Sequence, residues 1–179
     1  MSKKQGFTII EVVLVLAIGG LIFLMVFLAL PTLQRNQRDT QRRNDLDRVA
    51  AQITQYSTNN QGRVPFTGPA ANENGAWNNF RLNYLCSTAD CAGDEEEFRD
   101  PNGELYIMSY QGNATGEIGS EAIPFGAVTV GSSTGMPIRI YGSAECSGEN
   151  AIPVASGTRR VAVRIKLEGS GTYCKDNGA

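Results

Sequence analysis

The first third of the chain combines a long apolar stretch with a polar stretch that follows it. Between Phe7 and Leu30, only Glu11 carries an ionisable side chain. At 1.5 Å per residue, about 24 helical residues extend roughly 36 Å, which exceeds the roughly 30 Å hydrocarbon core of a bilayer. Because this helix is apolar on every face, residues 7–30 predict a transmembrane segment rather than the core helix of a soluble domain.

A cleavable secretory signal is the alternative for this stretch. Its apolar region would be about 7–15 residues long and would end at a small-residue cleavage site. The observed stretch is longer, and the sequence after it, "PTLQRNQRDTQRR", has no such site. Lys3 and Lys4 predict that the N-terminus stays in the cytoplasm, although the arginines between residues 35 and 43 oppose this orientation.

The helical pattern continues from Pro31 to about Asn60. Four apolar residues recur at i, i+3, i+4 and i+7 and predict a stripe that packs on a sheet: Leu46, Val49, Ala50 and Ile53. The segment before the stripe, "QRNQRDTQRRND", is polar on all sides and predicts a solvated helical stalk. Pro31 predicts a kink or local melting, because it lacks an N–H group and crowds the preceding turn. Gly62 and Pro65 are expected to end the helix.

The remainder of the chain predicts a small β-rich head. Strands are predicted over residues 105–110, 122–130, 137–142 and 159–167. The last of these alternates as a half-buried antiparallel strand does. One face carries Val161, Val163, Ile165 and Leu167, and the other carries Ala162, Arg164 and Lys166. Trp77, Phe80 and Tyr84 are spaced for a short helix on the head.

The predicted fold class is therefore α+β. A long N-terminal helix, apolar in its first half and amphipathic in its second, packs on a small antiparallel sheet.

Composition and charge argue against several classes of function. A net charge of −2 and a pI near 5.2 argue against a protein that coats nucleic acid. The chain has no histidine, the commonest general base and metal ligand. Since no phosphate loop, nucleophile elbow or carboxylate dyad is recognisable, we expect a protein that is not an enzyme and needs no cofactor or metal. The acidic run over residues 90–104 is an alternative calcium site, but it lacks the EF-hand spacing, so a solvated loop is favoured.

The four cysteines all follow the apolar stretch and are not arranged as CxxC pairs, which argues against a zinc site: Cys86, Cys91, Cys146 and Cys174. An even number in an exported domain predicts two disulfides. Of the three pairings, we favour Cys86–Cys91, a short local loop, and Cys146–Cys174, which closes the C-terminal region. Free buried thiols are the alternative.

The segment "QGFTIIEVVLVLAI" resembles the N-terminus of type IV prepilins and of their relatives, the pseudopilins. The shared pattern is a short basic leader that ends in Gly6, then Phe7, a glutamate (Glu11) fifth after the glycine, and a membrane-length apolar run. Two weaker similarities lie in "DPNGELYIMSY" and "GTYCKDN". In architecture, the resemblance covers the whole chain and implies a pilin-like fold.

The resemblance implies a sequence of processing steps. A prepilin peptidase would cut between Gly6 and Phe7, and the new amine of Phe7 would be methylated. Residues 1–6 would be a cytoplasmic leader, and residues 7–30 would be a transmembrane helix that becomes the filament core. Residues 31–60 would continue that helix. Residues 61–179 would form the head, with an αβ loop and a C-terminal disulfide region. Pilus assembly machinery would move subunits from the cell membrane into an extracellular homopolymer.

The resemblance allows two hypotheses for the partner of the Glu11 carboxylate. In the family mechanism, the carboxylate of an incoming subunit meets the Phe7 amine of an assembled neighbour, so the pair sets the axial register of the helices. The alternative is that Glu11 pairs with its own Phe7 amine and stabilises the positive end of its helix.

Two basic groups have alternative roles. The arginines of the second helical half could form a stripe for DNA or pair with aspartates of a neighbouring subunit, which we favour: Arg35, Arg38, Arg42, Arg43 and Arg48, with Asp39, Asp45 and Asp47. A second cluster could contact DNA or a surface, although a solvated strand face is favoured: Arg159, Arg160, Arg164 and Lys166.

The function expected from the sequence is that of a type IV pilin that serves attachment, motility or DNA uptake. The alternatives are a pseudopilin of a secretion or competence machine and, less favoured, a single-pass membrane adhesin.

Overall fold

The computed structural model describes residues 6–65, 80–85, 98–113, 121–130, 133–155, 159–169 and 171–178. Helix α1, Ile9–Asn59, has 51 residues and confirms the predicted long N-terminal helix. It is helical through Pro31, so the local melting predicted there is wrong, while the kink stays a prediction. The chain divides into two compact units, Met1–Gln37 and Arg38–Ala179.

Helix α1 ends close to Gly62, one of the two residues predicted to end it. The N–H of Gly62 donates to the carbonyl of Ser57 at 2.6 Å, and Gly62 has a φ of 79°. That conformation is open to glycine at little cost, and it satisfies a carbonyl that the helix end would otherwise leave without a partner. Gly62 therefore ends α1, as predicted.

Within the described residues, seven strands follow: β1 (Tyr106–Asn113), β2 (Val128–Val130), β3 (Ser133–Gly142), β4 (Ala144–Ser147), β5 (Asn150–Pro153), β6 (Val161–Lys166) and β7 (Thr172–Asp176). The main sheet has the order β1-β3-β6-β7, with β2 also paired to β3, and β4 and β5 form a separate hairpin. The α+β class with a long helix and a sheet is confirmed.

The sheet is mixed rather than wholly antiparallel. Strands β1 and β3 pair in parallel, whereas β3–β6, β6–β7 and β2–β3 are antiparallel. Parallel neighbours require a crossover connection, and the chain between Asn113 and Ser133 is long enough to supply one. The strand predicted over residues 122–130 is reduced to β2, in agreement with the disruptive effect of Pro124.

The main core lies between α1 and the sheet. The predicted stripe of α1 is buried, with Leu46, Val49 and Ile53 fully inaccessible. These residues cluster with Ile138, Ile140, Val163 and Ile165 of β3 and β6. Burial of each such side chain contributes about 1.5–3 kcal/mol, so the stripe holds the second half of α1 on the sheet. Phe80 joins this core, and a π-helical turn, Arg81–Leu85, follows it; Trp77 lies outside the described residues.

The opposite face of β6 is also buried, so the prediction of a half-buried strand is wrong. Ala162 packs there in a second cluster with Tyr141, Ala144, Ala151 and Cys174. The residues of β4 and β5 in this cluster cover that face, and their hairpin is not among the predicted elements. A disulfide joins Cys146 to Cys174, the pairing that the sequence favoured, with 5.7 Å between the Cα atoms. Cys86 and Cys91 lie outside the described residues.

Arg164 does not belong to an exposed basic cluster. Only 2% of it is exposed, and its Nε donates to the carbonyl of Glu149 at 2.8 Å. Its terminal nitrogen lies 3.3 Å from the carbonyl of Glu121 and from the hydroxyl of Tyr141. The cluster predicted on the last strand is therefore corrected, because the hairpin side of that strand faces protein rather than solvent.

The second half of α1 also carries a buried arginine. The Arg42 side chain is 0% exposed, and its Nε and a terminal nitrogen bind the two carboxylate oxygens of Asp100 at 2.6 and 3.0 Å. Its other terminal nitrogen lies 3.0 Å from Asp39. The prediction of a solvated stalk is therefore wrong around Arg42, because partners distant in sequence close over it.

Three contacts extend this arrangement. Arg38 donates to both carboxylate oxygens of Glu168, at 2.7 and 2.5 Å. Asp39 accepts the N–H groups of Glu168 and Gly169 at 2.8 and 2.9 Å. We call Arg38, Asp39, Arg42, Asp100 and Glu168 the arginine cluster; it fastens α1 to the turn before β1 and to the β6–β7 loop.

The arginine cluster changes two sequence interpretations. Arg42 is enclosed within its own chain, so it is not open to DNA or to a neighbouring subunit. Asp100, which belongs to the acidic run considered for calcium, binds Arg42 and accepts the N–H of Asn102 at 3.0 Å. The "DPNG" stretch forms the predicted turn, in which Gly103 donates to the carbonyl of Asp100 at 2.7 Å.

Replacement of Arg42 by Met is expected to lower the free energy of unfolding by about 3–5 kcal/mol, because Asp39 and Asp100 lose their buried cation. Urea denaturation followed by circular dichroism measures this effect. Arg48→Met is the matched control, because Arg48 is exposed on the same helix. Equal stabilities of the two variants would contradict a structural role for the arginine cluster.

The cluster also predicts an acid-dependent stability. Hydrogen bonds from Arg38 hold the pKa of the Glu168 carboxyl below its ordinary value of 4.5. A carboxyl with a lowered pKa stabilises the fold above its unfolded pKa and loses that contribution as the pH falls through its folded pKa. The melting temperature of the wild type should therefore exceed that of Glu168→Gln at pH 6 and converge with it as the pH falls through the lowered pKa of Glu168. A difference that stays constant over this range would refute the assignment.

Candidate assembly site at the start of helix α1

The first turn of α1 is organised by Thr8 and Glu11. Thr8 immediately precedes the first helical residue, Ile9. Its N–H and its hydroxyl both donate to one carboxylate oxygen of Glu11, at 2.9 and 2.7 Å. A threonine followed three residues later by a glutamate is the capping-box pattern, in which the glutamate satisfies the N–H of the capping residue. The carboxylate is therefore turned back toward the start of the helix.

The sequence contains a signal for this cap that the predictions above do not include. The spacing Thr-x-x-Glu immediately before an apolar run marks a helix N-terminus. Thr8 is thus a local partner of Glu11 that the charge of Glu11 in an apolar segment does not by itself indicate. In the intact chain the nitrogen of Phe7 is an amide, so Glu11 stabilises the helix start through Thr8 rather than through an amine.

Gly6 and Phe7 lie just before the first turn of α1, in non-helical chain. Phe7 is 90% exposed, and a Cβ added to Gly6 would have no atom within 4 Å. The peptide bond between them thus lies in an open, irregular segment one residue before the cap. The structure brings three of the predicted site residues, Gly6, Phe7 and Glu11, to one end of the helix.

The apolar half of α1 has no protein covering in a single copy of the chain. Every large hydrophobic side chain from Phe7 to Leu33 is at least 42% exposed. An 18-residue window of α1 has a mean hydropathy of 3.1, and none of that window is buried. By length and composition, α1 can cross a membrane. Exposed apolar surfaces of this extent mark contact with a membrane or with other proteins.

Glu11 is the only acidic residue within this apolar surface. Within the part of the chain that the structure describes, its only polar contacts are those with Thr8, and no cation pairs with it. The site therefore presents a capped helix end with one carboxylate that pairs with no cation of the described residues.

Comparison with known proteins agrees with this geometry. A family model described as the prokaryotic N-terminal methylation motif matches residues 1–27, and this motif is the signature of type IV prepilins and pseudopilins. No curated protein and no solved structure matches the chain. The resemblance seen in the sequence is thus confirmed for the N-terminal segment. The motif implies processing by a prepilin peptidase and assembly from the membrane, and it points to a structural subunit rather than an enzyme.

Proposed function

We propose that the chain is a type IV pilin, a subunit that polymerises into an extracellular filament through its N-terminal helix. The observation that carries this proposal is the methylation motif at the start of a helix whose apolar surface is exposed along its first half. A bilayer covers that surface before assembly, and the helices of other subunits cover it in the filament. Residues 61–179 supply the outer surface, which serves attachment, motility or DNA uptake.

Processing creates a new cation close to Glu11. A prepilin peptidase cuts after Gly6, and the nitrogen of Phe7 becomes an α-amine with a reference pKa of about 7.7–8.0, which is mostly cationic at neutral pH. N-methylation of Phe7 leaves an amine that still carries charge. The open chain around Gly6 supports access of the peptidase, and the cap holds the carboxylate close to the new terminus.

Assembly then moves Glu11 into a different environment. In a bundle of apolar helices, an unpaired carboxylate is costly, so it requires a partner. The Phe7 amine of a neighbouring subunit supplies this partner. When the Glu11 carboxylate leaves Thr8 and pairs with that amine, it fixes the axial offset between helices that could otherwise slide past one another. Cohesion comes from the packing of the apolar side chains, and the charge pair contributes register.

The membrane stage has a defined direction in this proposal. Lys3 and Lys4 keep the leader in the cytoplasm, where the peptidase acts, and the head lies outside. Before assembly the protein is thus a single-pass protein of the cell membrane. The partners are the peptidase, the assembly machinery and further copies of the same chain.

A pseudopilin is the second candidate, because the matched motif is shared by both groups. It would form a short structure within a secretion or competence machine rather than a long surface filament. Electron microscopy of intact cells distinguishes the two, since only the pilin predicts long filaments that depend on this chain.

The mature protein is expected to begin with methylated Phe7. Mass spectrometry of the N-terminal peptide from membranes and from sheared surface fractions tests this expectation. A chain that keeps Met1–Gly6 in both fractions would contradict processing and would favour a single-pass membrane adhesin.

Glu11→Ala is expected to reduce surface filaments at least tenfold, because the proposed ion pair is worth about 1.5–3 kcal/mol for each subunit. Glu11→Gln separates the two roles of the side chain, since glutamine can still form the capping box but carries no charge. We expect Glu11→Gln to fail like Glu11→Ala, while the head variant Glu104→Ala assembles normally. Counting filaments by electron microscopy gives the result. Normal abundance and an unchanged helical rise in Glu11→Gln would show that the cap alone suffices.

A further inference from the structure

Two arginines lie side by side on the face of the sheet that is turned away from α1. Arg139 of β3 and Arg164 of β6 are direct partners in the antiparallel register, and Ser109 of β1 is the partner of Arg139 on the other side. Tyr141, two residues beyond Arg139, packs in the cluster beneath the β4–β5 hairpin, so the alternation of β3 places Arg139 on the hairpin side. Like charges directly opposite each other on neighbouring strands are destabilising.

Neither guanidinium group forms an ion pair with a carboxylate of the described residues. Arg164 donates only to neutral oxygens, which are two backbone carbonyls and the hydroxyl of Tyr141. The carboxylates of this region bind a tyrosine hydroxyl, another arginine or backbone N–H groups: Glu121, Glu145, Glu149 and Asp176. In the described part of the chain, the two positive charges of this row therefore have no negative charge in contact.

The Arg139 side chain uses one edge of its guanidinium group. Nη1 donates to the hydroxyl oxygen of Ser109 at 3.1 Å. Nε lies on the other edge, where it is buried and has no hydrogen-bond partner in the part of the chain that the structure describes. Nη2 shares that edge and likewise has no bond to a described residue. A buried donor without a partner is costly, and more so when it carries charge.

The same edge of two other arginines holds a carboxylate. Arg42 donates through Nε and Nη2 to the two oxygens of Asp100. Arg38 donates through the same two nitrogens to Glu168. This fork of parallel N–H groups matches two oxygens of a carboxylate or of a phosphate. The donors that Arg139 leaves without a described partner thus form the fork that binds oxyanions elsewhere in this chain.

Ser109 supplies a further donor beside this fork. It is 6% exposed, and its oxygen accepts hydrogen bonds from Arg139 and from the amide of Gln111, the latter at 2.9 Å. A hydroxyl that accepts two bonds can still donate its own O–H, and no described acceptor takes it. The hydroxyl of Ser109 and the fork of Arg139 therefore offer three donors in one place.

We propose that Arg139 and Ser109, with the charge of Arg164, form a binding site for a phosphate group. A phosphate monoester carries about −1.5 to −2 charges at neutral pH and three strong acceptor oxygens, which matches two cations and three donors. A carboxylate brings one charge and two oxygens. Arg139 is partly exposed, so rotation of its guanidinium group turns the buried Nε toward a ligand.

This inference does not depend on polymerisation of the chain. The three residues belong to the unit Arg38–Ala179 and are separate from the assembly site at the start of α1. If the phosphate is part of a larger molecule, the site attaches the head to that molecule. A loss of filaments and a loss of phosphate binding are separate results.

The test uses the full-length chain in micelles of an uncharged detergent. Isothermal titration calorimetry at constant ionic strength compares inorganic phosphate, glycerol 3-phosphate and acetate. We expect saturable binding of both phosphates and at least about tenfold weaker binding of acetate, which corresponds to one charge-assisted hydrogen bond. Tighter binding of glycerol 3-phosphate would identify a phosphate carried by a larger molecule, and equal affinities would identify free phosphate; both support the site.

Two variants test the assignment of the donors. Arg139→Gln removes the fork and its charge, and Ser109→Ala removes the hydroxyl. We expect each to weaken the binding of inorganic phosphate by about tenfold or more. Arg63→Gln is the matched control, because it removes the same charge at an exposed position of the same unit. Circular dichroism verifies that the three variants are folded.

Melting temperatures supply a second readout. Without phosphate, Arg139→Gln should melt no lower than the wild type, because it removes a like charge opposite Arg164 and a buried donor without a described partner. Added phosphate should raise the melting temperature of the wild type and leave that of Arg139→Gln unchanged, since a ligand stabilises only the folded chain that binds it.

Four outcomes would overturn the proposal. The first two are a wild-type chain without saturable phosphate binding and a chain that binds acetate as tightly as phosphate. The third is an equal loss of affinity in Arg139→Gln and Arg63→Gln. The fourth is a lower melting temperature of Arg139→Gln without phosphate, which would show that Arg139 has a stabilising partner within its own chain.

Discussion

The apolar surface of α1 from Phe7 to Leu33 is exposed in a single copy of the chain. Each of its side chains gains about 1.5–3 kcal/mol when it is fully removed from water, so some apolar partner must cover it in every state of the protein. A bilayer and a bundle of identical helices meet this requirement equally well. The two environments differ for Glu11. In a bilayer its carboxylate can stay near the lipid headgroups, whereas in a bundle of apolar helices it needs a partner for its charge.

Charges in the two halves of α1 are satisfied in opposite ways. Arg42 lies within 4 Å of three carboxylates of its own chain, those of Asp39, Asp100 and Glu168, so its charge is neutralised internally. Among the residues that the structure describes, Glu11 has only the neutral groups of Thr8 as partners. The arginine cluster therefore belongs to the stability of the folded unit. In the proposed assembly, Glu11 is the charge that pairs between chains.

Local patterns in the sequence predicted the features that depend on neighbouring residues. The length of α1 followed from the apolar run and the stripe of Leu46 to Ile53, and the N-terminal motif is contiguous. Features that depend on distant partners were not predictable: Asp100 lies 58 residues beyond Arg42, so a polar segment resembled a solvated stalk. The four-residue strands β4 and β5 are too short to show alternation, so the burial of Arg164 was missed. The Thr8–Glu11 cap is a local feature that the Thr-x-x-Glu spacing indicates, although it was not among the predictions.

The proposed ion pair can be measured as the distance between the Phe7 nitrogen of one subunit and the Glu11 carboxylate of its neighbour. Cryo-electron microscopy of purified filaments would measure it. We expect a separation within about 4 Å, with Glu11 turned away from its own Thr8. Filaments in which every Glu11 still binds its own Thr8, with the neighbouring Phe7 nitrogen beyond ion-pair distance, would show that the proposed pair does not form.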